Sequence, residues 1–72
     1  MTIGQRAAAE IREHAFRKHI KLGQEIANIK GNRNCYRLWK IGRVDPQAFA
    51  LQQMALAGYD IHWILTGEER YG

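Results

Sequence analysis

Between Gly23 and Arg43 the chain reads GQEIANIKGNRNCYRLWKIGR, and no other stretch limits the possible folds as tightly. Ile26 and Ile29 stand three apart, as on one face of a helix, with Ala27 small enough for close packing between them. Lys30-Gly31-Asn32 predicts a tight turn, because glycine and asparagine both tolerate positive φ. From Arg33 to Ile41 nothing breaks a helix, and Gly42 stands where a C-terminal cap would. The stretch predicts two short helices joined by a tight turn.

Charge singles out the second of them. Five of the chain's 11 lysines and arginines, Lys30, Arg33, Arg37, Lys40 and Arg43, fall within residues 30–43, and no acid does. Residues 44–72 hold one base, Arg70, against Asp45, Asp60, Glu68 and Glu69. A net charge of +4 spread evenly over 72 residues would mean little. Gathered on one predicted helix, it reads as an electrostatic footprint for phosphate. The plainer reading of the same run is a solvated helix face. With the turn before it, the basic helix completes the outline of a helix-turn-helix over about 23–42.

A chain of 72 residues makes one domain, 1–72. So short a chain buries only about 60% of its unfolded surface, so a partner subunit would help it. The hydrophobic content of 46% argues against disorder. No apolar run approaches the ~18 residues that span a bilayer, and the N-terminus lacks a signal-peptide core. The single cysteine, Cys35, has no internal disulfide partner, which suits a reducing cytosol. A small soluble cytoplasmic protein is expected.

Thr2-Ile3-Gly4-Gln5 has capping-box spacing and predicts a helix running to about Lys18. Ala8, Ile11, Ala15 and Leu22 trace its apolar stripe, with Phe16 beside it. Arg6, Glu10, Glu13 and Arg17 lie on the other side, at spacings that allow ion pairs. His14 and His19, five apart, do not share a helix face, His62 is distant, and there is no CxxC. Surface histidines and no metal site are expected.

Further on, Asp45 as N-cap and Pro46 at the first position predict the start of helix four. Ala50, Met54 and Ala57 line up with Phe49 and Leu56 adjacent, so this helix is expected to be largely buried and to end at Gly58. Asp60 caps a last short helix, Ile61 to Leu65, stopping at Thr66-Gly67. Ile61, Trp63, Ile64 and Leu65 cannot all face inward on little more than one turn, and they form the expected dimer interface.

Two runs carry a family resemblance. NRNCYRLWKIGRVDP resembles the recognition helix and following loop of the phage repressor and Cro type of helix-turn-helix, also called lambda-repressor-like. Trp39, Gly42, Arg43 and Pro46 stand where that family ends the helix, turns, adds a basic residue and opens helix four. LAGYDIHWILTGEE resembles the end of such DNA-binding domains, with Leu65-Thr66-Gly67 as the closing motif. Together the runs cover Asn32 to Glu69. In helix two the chain departs from the pattern: Ile26-Ala27 stands for Leu-Ala, Gln24 lies one residue closer, and the turn reads Lys30-Gly31-Asn32.

The resemblance implies an all-α, compact five-helix domain that regulates phage or prophage transcription as a two-fold dimer on operator DNA. It also implies that larger repressors continue where this sequence ends, into a self-cleaving domain that is not expected here. Arg33, Asn34 and Arg37 are the candidates for base contacts, and Gln24, Asn32, Lys40 and Arg43 for phosphate contacts. Two placements of helix three remain open. At ~100° per residue the wheel exposes Arg33, Tyr36, Arg37 and Lys40 and buries Cys35, Leu38 and Trp39. The family alignment instead buries Tyr36 and Trp39 and exposes Arg33, Asn34, Arg37 and Leu38.

No paired carboxylates, no nucleophile beside a base and no glycine-rich phosphate loop stand out, so neither an enzyme nor a cofactor or small-molecule ligand is expected. The rival class is a protein-interaction module, an antitoxin or phage-encoded adaptor, that binds through the apolar C-terminal end.

Overall fold

The computed structural model describes residues 1–68. They form an all-α domain of five helices: α1 Ile3–Lys18, α2 Leu22–Asn28, α3 Arg33–Lys40, α4 Ala48–Leu56 and α5 Ile61–Thr66. The expected order and number of elements hold. The long α1 lies against α2, α3 and α5, while α4 meets α5.

The capping box opens α1 as the spacing requires. Thr2 Oγ1 accepts the Gln5 N–H at 3.0 Å, and Gln5 Oε1 accepts the Thr2 N–H at 2.9 Å. The buried face of α1 is made of small residues, Gly4, Ala7, Ala8 and Ala15, around Ile11. Small side chains let three other helices approach its backbone closely. Larger groups from those helices then fill the centre: Ile26, Ile29, Tyr36, Trp39, Met54, Tyr59 and Ile64. Phe16, placed beside the stripe by sequence, is 79% exposed.

Helices α1 to α4 all stop in the same way. The left-handed residue after each helix donates three residues back, and the next residue donates five back, the Schellman pattern. The pairs are His19 to Phe16 and Ile20 to Ala15, Lys30 to Ala27 and Gly31 to Ile26, Gly42 to Trp39 and Arg43 to Leu38, Gly58 to Ala55 and Tyr59 to Met54. Gly42 and Gly58 fill the positive-φ position at φ 78° and 88°, as expected. In the α2–α3 turn the strained residue is Lys30, at φ 56°, and neither Gly31 nor Asn32 has positive φ. At Gly31 the space is tight instead, since a Cβ there would stand 3.1 Å from both the side chain and the carbonyl oxygen of Ile26.

Three expectations about the second half need correction. Asp45 does not cap α4, which starts at Ala48 behind Gln47, a residue that makes no side-chain cap bond. Asp45 Oδ1 instead accepts the Gly4 N–H at 2.9 Å, capping α1 from across the fold. Nor is α4 largely buried: Met54 is, but Phe49 is 59% and Leu56 77% exposed. The third concerns Ile64, which is 0% exposed in the single chain and has no surface left to give to a second copy. Ile61 and Trp63 are half-buried against the core, which leaves Leu65 as the exposed member of that expected interface.

Arg6 also differs from expectation. Its guanidinium turns away from the charged side of α1 and donates to the carbonyls of Ile64 at 2.8 Å, Leu65 at 3.3 Å and Met1 at 2.7 Å. The orphan carbonyls at the end of α5 thereby gain a cationic donor, which ties α5 to α1. On the outer side of α1 the expected Arg17–Glu13 pair forms at 3.0 Å.

Candidate nucleic-acid interface

α3 begins at Asn32, whose side-chain oxygen accepts the N–H groups of Asn34 at 2.7 Å and Cys35 at 3.2 Å. This cap satisfies N–H donors that a helix start otherwise leaves unpaired. It also turns the Asn32 side chain toward its own helix. Tyr36 and Trp39 are the buried residues of α3, packed in the core with α1. Arg33, Asn34, Cys35, Arg37 and Lys40 are exposed, and Leu38 is half-buried.

At Tyr36 the structure agrees with the family alignment and not with the wheel, while Leu38, half-buried, stands between the two. The wheel reading fails at Cys35, which is an exposed free thiol, and at Tyr36, which is inside. The physical reason is that inward direction is set by where α1 lies. Tyr36 and Trp39, three apart, both reach it. Cys35 points to the flank shared with α4, where it lines an open groove with Trp39, Val44, Phe49 and Ala50. Burial raises the Tyr36 hydroxyl above its usual pKa, against the opposing charge of Arg12.

Opposite the buried pair, Asn34 and Arg37 face outward beside the half-buried Leu38, with Ile41, 49% exposed, one turn on. Arg37 Nη2 donates to Asn34 Oδ1 at 3.1 Å, so the two polar candidates form one unit. Arg33 behaves differently. Its guanidinium lies over Gly23 in the first turn of α2, so that a Cβ there would meet the movable end of this side chain.

Gln24 is exposed on α2 and donates to Asn28 Oδ1 at 3.0 Å. Lys30, Lys40 and Arg43 are exposed around α3. Among the described residues the ion pairs are His14–Glu10, Arg17–Glu13, Lys18–Glu25 and His62–Glu68, so none of the five bases of residues 30–43 has a carboxylate partner. An unneutralised run of this kind projects positive potential into solvent and attracts polyanions.

What holds α2 in place was not foreseen. Glu25 is 0% exposed, and Lys18 Nζ donates to it at 2.8 Å and Asn28 at 3.5 Å. The Tyr59 hydroxyl makes a short hydrogen bond to its other oxygen. Burial pushes the Glu25 carboxyl up, but the bonds from Lys18 and Tyr59 and the Lys18 charge outweigh it and hold it below its ordinary value. Tyr59 is pushed well above the usual tyrosine range by burial and by its bond to Glu25. His14 stacks on the Tyr59 ring at 3.9 Å, so it is half-buried and not a surface histidine. A signal for Glu25 did exist: Leu22, Glu25, Ile26 and Ile29 follow the spacing of one buried helix face.

Among the described residues no group of three or more His, Cys, Asp and Glu side chains could hold a metal ion. No helix of the described residues is long and apolar enough to cross a membrane. Compared with family models, with curated proteins and with solved structures, the chain matches none.

Proposed function

We propose that this chain is a sequence-specific DNA-binding transcriptional regulator of the phage repressor and Cro type, with α2 and α3 as its helix-turn-helix. The observation that carries the reading is the exposed, unpaired basic run of residues 30–43 around the outward Asn34–Arg37 pair. In this reading α3 lies in a major groove. Arg37 bonds bidentately to guanine, and Asn34, released from it, to adenine. Arg33, drawn back over α2, is better suited to a phosphate than to a base edge, as are Lys40 and Arg43. Asn32 and Gln24, both engaged within the protein, contribute through the helix start and through α2.

One recognition helix reads too few base pairs for an operator, so the reading includes a two-fold dimer on half-sites about 34 Å apart. It includes residence in the cytoplasm and no catalysis of its own. Titrating binding to mixed-sequence DNA against salt tests the core of it. The affinity should fall steeply as salt rises, with a slope of about −0.9 per phosphate contacted. Selection from a random DNA pool should then return one motif. Absence of DNA binding at low salt would favour the rival protein-interaction module.

A further inference from the structure

Two aliphatic side chains stand on the outward side of α3, and the core uses neither. The Ile41 N–H donates to the Arg37 carbonyl at 3.1 Å, so Ile41 continues the helical spiral one turn past Arg37. At ~100° per residue, Ile41 and Asn34 point within about 20° of each other, opposite to Tyr36 and Trp39. Leu38 stands beside them, three residues before Ile41. Ile41 is 49% exposed and Leu38 is half-buried. Among the described residues, the core and the apolar side chains packed against it include neither.

Their surroundings limit what can cover them. Arg37, Lys40 and Arg43 are exposed around the pair, and among the described residues none has a carboxylate partner. A second basic chain is repelled there, and a neutral apolar partner would bury cations without pairing them. The occupant is therefore anionic at its rim and apolar at a point within it. Duplex DNA has that character. Phosphates border the major groove, and its floor is hydrogen-bond donors and acceptors except for the C5-methyl group of thymine. The Asn34–Arg37 pair on the same ridge matches base edges, which favours DNA over an acidic protein.

We infer that Leu38 and Ile41 read thymine methyl groups, so that each half-site carries thymine near the guanine bonded by Arg37. This rests on the DNA-binding reading proposed above and adds a base that the polar contacts leave unread. Arg37 and Ile41 are four residues apart, about 6 Å along the axis, or about two base-pair steps of 3.4 Å. The thymine therefore lies about two base pairs from that guanine, toward the C-terminal end of α3. Cytosine in its place would set an amino donor against the aliphatic pair and leave it without a partner.

The test uses the full chain and a duplex selected from a random DNA pool. Replacing thymine by deoxyuridine, one position at a time, removes the methyl group and leaves base pairing intact. At the thymine about two pairs from the guanine, affinity should fall by about fourfold, the worth of one buried methyl-sized group. The double variant Leu38→Ala/Ile41→Ala, checked for helicity by circular dichroism, should bind the thymine and deoxyuridine duplexes alike. Lys40→Ala should keep the difference between them. Equal affinity of the parent chain for the two duplexes would overturn the inference and leave DNA binding standing. So would a double variant that keeps the full difference, or a selected motif without thymine at that distance. Failure to bind any duplex would overturn both the inference and the proposed function, and would favour an acidic protein as the partner of this face.

Discussion

Asp45 Oδ1 accepts the backbone N–H of Gly4 at 2.9 Å, joining residues 41 apart in sequence. The contact closes α1 onto the loop between α3 and α4. It is possible only because residue 4 has no side chain. A Cβ there would collide with the Val44 carbonyl oxygen and stand 3.1 Å from Trp39 Cα. The N-terminal turn of α1 thereby fixes the end of the helix that carries the basic face.

Gly4→Ala should therefore destabilise the protein by about 1–3 kcal/mol, as overpacking does. The gain of up to ~1 kcal/mol in helix propensity is smaller than that and has the opposite sign. Asp45→Ala should cost about 0.5–2 kcal/mol, as the loss of a cap does. Urea unfolding measures both. A Gly4→Ala protein more stable than the parent would show that the loop yields freely.

The Glu25–Tyr59 bond predicts how stability changes with pH. Glu25 has its folded pKa below the ordinary 4.5, so it contributes stability that is present above that value and lost as pH falls through the lower folded one. Tyr59 is raised above the ordinary 10.0, so its contribution is present below pH 10.0 and lost as pH rises through the folded value. A plateau between these limits is expected in the unfolding midpoint. Tyr59→Phe should lower the plateau by about 1.5–3 kcal/mol, the worth of a hydrogen bond to a charged group. Glu25→Gln should make the acid limb shallower. An unchanged acid limb in Glu25→Gln would refute the role given to this carboxylate.

Trp39 and Cys35 separate the inside of α3 from its flank. Trp39→Ala should cost about 3–5 kcal/mol, comparable with the whole stability of a domain this small. Cys35→Ser, at an exposed position, should stay within about 0.5 kcal/mol of the parent. Thermal melts of the two variants check this. A folded Trp39→Ala protein beside an unfolded Cys35→Ser would reverse the helix.

On DNA, Arg37→Ala should relax sequence preference at one base pair, at a cost of about 1–3 kcal/mol, with the fold intact. Because Arg37 and Asn34 are bonded to each other, Asn34→Ala and the double variant should be non-additive with it. Lys40→Ala should weaken binding to every sequence alike and make its salt dependence shallower by about one unit of slope. Competition binding with selected and random duplexes distinguishes the two effects. An unchanged preference in Arg37→Ala would remove it from base reading.

Much of the fold was legible because its signals are local. Thr2 and Gln5 meet within one turn, Gly42 and Gly58 take the positive φ that ends their helices, and Asp60 caps α5 by accepting the Trp63 N–H at 3.0 Å. The exposure of Arg33 and Arg37 was legible too, since both placements of α3 agreed on it. Tertiary structure decided what depends on direction and distance between elements. A wheel gives relative angles but no phase, so only the position of α1 could send Tyr36 inward and Cys35 outward. Asp45 carried the signature of an N-cap, but the donor it serves lies on α1. Ile64 sits within an apolar run that looked like surface until the core closed over it. Glu25 is held by Lys18 and Tyr59, which come from either side of α2 in the sequence and meet it only in the folded chain.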